Sequence, residues 1–416
     1  MSTFLVSGGI PLRGEVKIHG AKNSVLPILA ATLLHDGESV IENCPDLRDV
    51  HSAIAILRYL GCRVTFEDGV VTVDAHGMNR CDIPDSLMRE MRSSVIFLGA
   101  ILGRSGCAQL SFPGGCELGP RPIDLHLAAM REMGAVLVEE GGKIICSEAK
   151  LVGREINLSF PSVGATENTM LAAARASGVT RIRNAAREPE IEDLGKFLCE
   201  MGVPVHGAGG SVIEVEGIEK TCAPHHHVIP DRIVAGTYLI GAAITGGEVS
   251  ALHVIPEQIA TITAILEEAG CGVRCAGDSV SICVKKPLRA LKTVRTMPYP
   301  GFPTDAQAPL MALATQCAGT SIFVESIFEN RYRHVCELTR MGANIKVEGR
   351  VAIVEGKSDL GGADVTATDL RGGAALVLAA LAAEGESKIS EVIHIDRGYE
   401  RMEEILTQLG ARIRRV

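Results

Sequence analysis

Residues 191–202 read Ile-Glu-Asp-Leu-Gly-Lys-Phe-Leu-Cys-Glu-Met-Gly. Ile191, Leu194, Phe197, Leu198 and Met201 fall at the spacing that gathers them on one side of an α-helix. Glu192, Asp193 and Lys196 lie between them, on the side expected to face water. Gly202 then fits the position just past a helix end, where the chain turns left-handed and only glycine does so without steric cost. The same Met/Leu/Ala-Gly step recurs at Leu60-Gly61, Met133-Gly134, Ala269-Gly270, Met341-Gly342 and Leu409-Gly410, at separations of 68–73 residues. A fixed period of this kind marks an internal repeat.

Working outward from each glycine, an apolar strand follows, as in Arg63–Phe66 and Ala343–Val347. Upstream of the amphipathic helix lies another short strand, such as Thr180–Arg183 or Ser321–Val324. Before that comes a helix of different character. The six examples start near Ser24, Ser93, Ala165, Val234, Ala306 and Gly373, and they are apolar almost all round, as in Ala374-Ala-Leu-Val-Leu-Ala-Ala-Leu-Ala-Ala. A helix without a polar face is buried on every side. The unit is thus buried helix, strand, amphipathic helix, strands. Six units exceed what one core holds, since single cores stop growing near ~250–300 residues. The expected fold is α/β, with two inside-out domains of three units each, helices inside and sheets outside. The break is expected near Val228-Ile229-Pro230, after His225-His226-His227. That run is expected to be a loop, and three histidines without other nearby ligands are a weak metal signal.

The 416 residues carry a net charge of −9 and are 46% hydrophobic and 22% charged, the profile of a folded globular protein. An acidic balance argues against a nucleic-acid or anionic-membrane binder. No signal peptide and no apolar stretch of spanning length (~20 residues) can be read, so a cytoplasmic protein is expected. The 13 cysteines include no CxxC pair. Without disulfide or zinc spacing, all but Cys116 are expected to be small buried side chains.

Two junctions recur in every unit: the start of the buried helix and the turn from strand into amphipathic helix. Helix N-termini offer free N–H groups and a positive dipole end, so both suit anions. Lysines and arginines gather there despite the acidic balance: Lys22, Arg92, Arg121, Arg331, Arg371 and Arg397. Asp and Asn at such places also serve as helix caps, and for Asp231, Asp369 and Asp396 cap and functional group stand equally. Cys116 lies in a Gly-rich, Pro-bounded loop with Arg121 nearby, a setting in which a thiol can act as acid or nucleophile.

Eight blocks in order carry a family resemblance: GAKNSVLPILAATLL (20–34), PGGCELGPRPIDLH (113–126), SVGAT (162–166), NAAREPEI (184–191), FPTDAQAP (302–309), IFENRYRHV (327–335), TDLRGGAALVLA (368–379) and HIDRGYER (394–401). Over essentially its whole length the chain resembles the enolpyruvyl transferases, in the branch whose acceptor is UDP-N-acetylglucosamine. The resemblance implies two inside-out α/β barrel domains, 22–229 and 1–21 with 230–416, and substrates bound in a cleft between them. It implies transfer of the enolpyruvyl group of phosphoenolpyruvate to the sugar 3′-hydroxyl, without metal or organic cofactor.

It also implies roles. Asp305 matches the base that takes the hydroxyl proton. Cys116 matches the acid that protonates C3, and can carry a phospholactoyl adduct. Lys22, Arg121 and Arg397 match the phosphate and carboxylate ligands, with Arg92, Arg331 and Arg371 close by. Asn23 matches a sugar contact; Arg121, Pro122, Ile123, Asp124 and Leu125, with Ser162, Val163, Gly164 and Ile327, match the nucleotide-sugar site; Asp369 matches a supporting acid. The epoxide fosfomycin, which alkylates the family's loop cysteine, is implied as a covalent inhibitor at Cys116. Glu117 and Pro120 depart from the small or apolar residues usual in that loop, and Ser159-Phe160-Pro161 lacks a basic residue that some relatives carry. The shikimate branch shares the fold and the donor, but has Ser-Lys-Ser where this chain has Ala21-Lys22-Asn23 and lacks the loop cysteine. A catalytically silent nucleotide-sugar-binding protein is the reading from another class; Lys22, Cys116, Asp305 and Arg397 together argue against it.

Overall fold

The structure, a computed structural model, describes residues 2–91, 93–112, 123–285 and 287–416. Among these, six four-stranded sheets and six buried helices repeat one pattern. In four of the repeats a short strand leads into the buried helix of its own sheet; in the other two the leading strands are exchanged, Arg13–Lys17 preceding Lys22–Ala31 but pairing with Glu248–Leu252, and His225–His227 preceding Arg232–Ile244 but pairing with Glu38–Glu42. A second strand returns parallel to the first, an amphipathic helix follows, and two antiparallel strands close the sheet. The spatial order is first, second, fourth, third. In one repeat these are Glu155–Asn157, Val163–Ala173, Val179–Arg183, Pro189–Glu200, Val205–His206 and Val212–Glu216.

The six step glycines all have left-handed backbone, with φ between 88° and 107°, as their place past the helix ends requires. The apolar helices are interior. All of Arg232–Ile244 is buried, and Leu370–Ala382 is buried from Arg371 to Leu381. The helices approach closely: the N–H of Gly99, in Phe97–Ser105, donates to Asn168 Oδ1 at 2.6 Å, and a Cβ at Gly99 would stand 2.2 Å from the Asn168 carbonyl oxygen. Asn168 is buried and spends its amide on the Val95 carbonyl (2.8 Å) and His126 Nδ1 (2.8 Å). No helix among the described residues is long and apolar enough to cross a membrane.

The chain divides into two compact units, residues 20–229 and residues 2–19 with 230–416, each with its own hydrophobic core. Within the second unit, Phe4–Ser7 pairs with Glu386–Ser390 and Arg412–Arg415, and Arg13–Lys17 pairs with Glu248–Leu252. The N-terminal segment thus supplies the last strand of one repeat and the first of another. Ala21 falls in the 20–229 unit, its N–H bonded to the Ile229 carbonyl at 2.7 Å.

Four features differ from the sequence pattern. The first strand of each repeat is absent from the pattern reading; with only two to five residues, as in Asp82–Ile83 and Arg13–Lys17, it shows too little alternation to be seen. His225–His227 is one of these strands and not a loop: it runs parallel to Glu38–Glu42 and closes that sheet, with His226 inward and its neighbours outward. Asp193, placed on a polar helix face by its spacing, is 1% exposed because His226 and Ser24 bind it. The cysteines also divide. Cys44, Cys62, Cys146, Cys271 and Cys317 are buried, whereas Cys199, Cys222, Cys275 and Cys336 are exposed, since a small residue is tolerated on either face of an element.

Candidate functional site

In the 20–229 unit the described candidate residues stand at helix N-termini. Lys22 and Asn23 open Lys22–Ala31, whose apolar run buries every later residue. Lys22 is itself buried, and its Nζ lies 2.7 Å from Asp49 Oδ2, an equally buried carboxylate on Arg48–Tyr59. A buried ammonium needs such a partner. Ser162 caps Val163–Ala173, its hydroxyl accepting the Ala165 N–H at 3.4 Å, and Val163 and Gly164 form the first turn. Ile123 is buried before Asp124–Glu132, Asp124 is exposed, and Leu125 is half-buried. Arg92, Cys116, Arg121 and Pro122 lie outside the described residues, as do Glu117 and Pro120.

In the other unit one network gathers several candidates. Asp305, in the turn Thr304–Ala306 that leads into Gln307–Ala314, is held from both sides. Arg331 Nη2 donates to Oδ1 at 2.9 Å and Arg371 Nη2 to Oδ2 at 3.0 Å. Both guanidinium groups are nearly inaccessible, at 5% and 2% exposure, while the carboxylate is 27% exposed. Burial opposes the Arg371 charge, but Asp305, Tyr399 and Asp231 outweigh it and raise the Arg371 pKa. The guanidinium also stacks 5.3 Å from the Tyr399 ring. Nε of Arg331 is buried with no hydrogen-bond partner among the described residues, and Arg371 is further engaged by the Tyr399 hydroxyl.

Asp369 is a cap: its Oδ1 accepts the N–H groups of Arg371 and Gly372, each at 3.0 Å, and so fixes the start of Leu370–Ala382 and the root of Arg371. Burial opposes its charge, yet Arg331 and the cap N–H groups hold its carboxyl below the usual range. Asp231 likewise caps Arg232–Ile244, accepting from Ile233 and Val234 at 2.9 Å. Asp396 pairs with Arg415 at 2.7 and 2.9 Å and anchors the last strand. Arg397 ends the turn Val392–Arg397 and is half-buried.

Ile327 is joined to Asp305 through a residue that the pattern reading missed. Glu325, 1% exposed, accepts at Oε1 from Ile327 N–H (2.8 Å), Phe328 N–H (3.0 Å) and the Thr296 hydroxyl (2.9 Å), and at Oε2 from the Thr304 hydroxyl (3.0 Å). One carboxylate thus braces the loop of Ile327 against the turn of Asp305. Its signal in the sequence is a lone acid at a strand end between Val324 and Ile327. Asp49 carries no local signal at all, because only folding brings it to Lys22. Among the described residues no group of three or more His, Cys, Asp or Glu could hold a metal ion.

The family model of EPSP synthase (3-phosphoshikimate 1-carboxyvinyltransferase) matches residues 6–406. The chain belongs to that family. The UDP-N-acetylglucosamine 1-carboxyvinyltransferase 1 of Symbiobacterium thermophilum is 52% identical, over 99% of this chain and 95% of that one. The UDP-N-acetylglucosamine 1-carboxyvinyltransferase 2 of Caldanaerobacter subterraneus subsp. tengcongensis is 50% identical over the whole of both. Among solved structures, the enolpyruvyl transferase NikO from Streptomyces tendae superposes with a TM-score of 0.90 at 26% identity, covering 100% of this chain and 99% of NikO. EPSP synthase from Acinetobacter baumannii shares the fold, with a TM-score of 0.73 at 19% identity over the whole of both chains. An α/β fold of repeated small sheets with interior helices is therefore the family's fold, and its members make the chemistry enolpyruvyl transfer.

Proposed function

We propose that this chain transfers the enolpyruvyl group from phosphoenolpyruvate to the 3′-hydroxyl of UDP-N-acetylglucosamine, releasing phosphate, as the first committed step of peptidoglycan synthesis in the cytoplasm. One observation carries the choice of acceptor: half of the residues are shared, end to end, with relatives named for that acceptor. Asn23 beside Lys22, in place of the shikimate branch's serine, agrees with it.

The reaction is an addition followed by an elimination. The 3′-oxygen bonds to C2 of phosphoenolpyruvate as C3 takes a proton, giving a tetrahedral ketal that still bears phosphate. Loss of a C3 proton with cleavage of the C2–O bond then restores the double bond and frees phosphate. Asp305 is the base for the hydroxyl, oriented through both of its oxygens by Arg331 and Arg371. Cys116 is the acid toward C3 and can hold the phospholactoyl adduct. Lys22, Arg121 and Arg397 take the phosphate and carboxylate of the donor, with Arg92, Arg331 and Arg371 adding charge. Positive groups placed in advance where charge accumulates are the largest single source of rate in such reactions. Asn23, Ile123, Asp124, Leu125, Ser162, Val163, Gly164 and Ile327 receive the nucleotide sugar, with Asp369 in support through Arg371.

The test is phosphate release from phosphoenolpyruvate, with UDP-N-acetylglucosamine and shikimate 3-phosphate as alternative acceptors. Release with the nucleotide sugar alone is expected. Release with shikimate 3-phosphate alone would overturn the acceptor, and release with neither would favour a silent sugar-nucleotide binder.

A further inference from the structure

The histidine run 225–227 has no part in the roles above, and its middle member differs from the other two. His225 and His227 are exposed and share Glu42 of the adjacent strand. His226 is 3% exposed. Its Nε2 lies 3.1 Å from Asp193 Oδ1 and its Nδ1 2.9 Å from Glu200 Oε1. Carboxylate oxygens only accept hydrogen bonds, and a neutral imidazole has a single N–H. A neutral ring would therefore turn a nitrogen lone pair on one of the two carboxylates, and only the imidazolium satisfies both. Asp193 and Glu200, both on Pro189–Glu200, are the charged groups that act on the ring. Phe197 of the same helix meets it edge-on, and Ile41 is its partner across the strand pair. Burial opposes the charge, and the two carboxylates outweigh it and raise the His226 pKa.

The far side of Asp193 reaches the start of the Lys22 helix. Its Oδ2 accepts a short hydrogen bond from the Ser24 hydroxyl and another from the Ile229 N–H at 3.3 Å. Ala21 N–H ties the same two segments again, through the Ile229 carbonyl. Asp193 is buried, and a buried carboxylate that loses its cationic partner no longer holds its place.

We propose that His226, gripped between Asp193 and Glu200, is a positioning residue: through Asp193 and Ser24 it sets the first turn of Lys22–Ala31 and so aims Lys22 and Asn23 at the substrates. The positioning role rests on the reading of Lys22 and Asn23 as substrate ligands. The charged state of the ring does not.

Two measurements test it. The first is the ¹⁵N imidazole spectrum of the unaltered protein near neutral pH, with His226 assigned by the signals missing from His226→Gln. Both ring nitrogens are expected to be protonated above the ordinary histidine value of 6.5. The second is steady-state kinetics. His226→Gln is expected to raise KM for phosphoenolpyruvate about tenfold, with kcat within about threefold, because misplacing a ligand costs binding before chemistry. In the unaltered enzyme the same KM should climb as pH rises through the His226 pKa, and His226→Gln should lack that limb. Glu42→Gln, which disturbs only the outer histidines, should leave KM unchanged. If His226→Gln does not fold, Glu200→Gln, whose side chain is 38% exposed, should raise KM in the same direction by less. A neutral ring in an active enzyme overturns the inference alone, and so does a wild-type KM and pH profile in the folded variant. Phosphate release with neither acceptor sinks the transferase reading and the positioning role with it, while a protonated ring would still uphold the buried imidazolium.

Discussion

Replacing Asp305 with asparagine removes one charge and nearly no volume, and it acts on two quantities at once. The carboxylate neutralises two guanidinium groups that are 5% and 2% exposed, and is itself 27% exposed. Removing one partner of a wholly buried pair costs ~3–5 kcal/mol, and an exposed pair contributes ~0–1 kcal/mol. The Asp305 pairs lie between these limits, and asparagine retains one accepting oxygen. A loss of about 2 kcal/mol is therefore expected. For a cooperative unit of 150–250 residues that is a fall in Tm of roughly 4–8 °C. Loss of a general base lowers turnover by ~10²–10⁴-fold. Phosphate release under saturating substrates measures the second quantity and a thermal melt the first. Turnover within tenfold of the unaltered enzyme would refute Asp305 as the base. An unchanged Tm would refute the view that this carboxylate is what keeps Arg331 and Arg371 in place.

Fosfomycin is expected to add one covalent equivalent at Cys116, seen as a mass shift that is faster with UDP-N-acetylglucosamine present and absent from Cys116→Ser; an unlabelled protein would mean that Glu117 and Pro120 remove the thiol's reactivity. Gly99→Ala places a methyl 2.2 Å from a backbone oxygen of the neighbouring buried helix, so urea denaturation should show a loss of about 3 kcal/mol, and an unchanged midpoint would show that these helices can separate freely. Burial pushes the His334 pKa down to about 4 against the opposing pull of Asp369, and the ring is neutral in the folded protein. The unfolded chain binds that proton near 6.5, so stability from this residue is full above that value and is lost as pH falls toward 4; His334→Phe should flatten that stretch of the stability–pH curve, and a His334 resonance titrating near 6.5 in the folded protein would disprove the assignment.

Much of this molecule is local in origin and could be read from the chain alone. The step glycines require a left-handed turn whatever surrounds them, and the apolar helices exclude a wet face by composition. The repeat, the interior helices and the two cores followed from those facts. The candidate site residues stand out in the chain for a related reason. Lysine and arginine at helix starts are costly to place there without a use, and the blocks around Lys22, Cys116, Asp305 and Arg397 resemble those of a known family.

What the chain alone did not determine is every property that depends on a distant partner. Asp193 has the spacing of a solvent-facing residue, and is buried only because a strand more than thirty residues further on brings His226 onto it. The histidine run has the composition of a loop, and becomes a strand because the first sheet has an open edge and the chain must pass it. Asp49 beside Lys22 emits no local signal, and the lone acid Glu325 at its strand end does not announce its partners Thr304 and Ile327, since a carboxylate's cost of burial is met by donors that only folding delivers. Periodicity reports which face of an element meets the core. It does not report which polar group waits there, and in each unit such groups hold a candidate residue: Glu325 braces the turn of Asp305, and Asp49 pairs with Lys22.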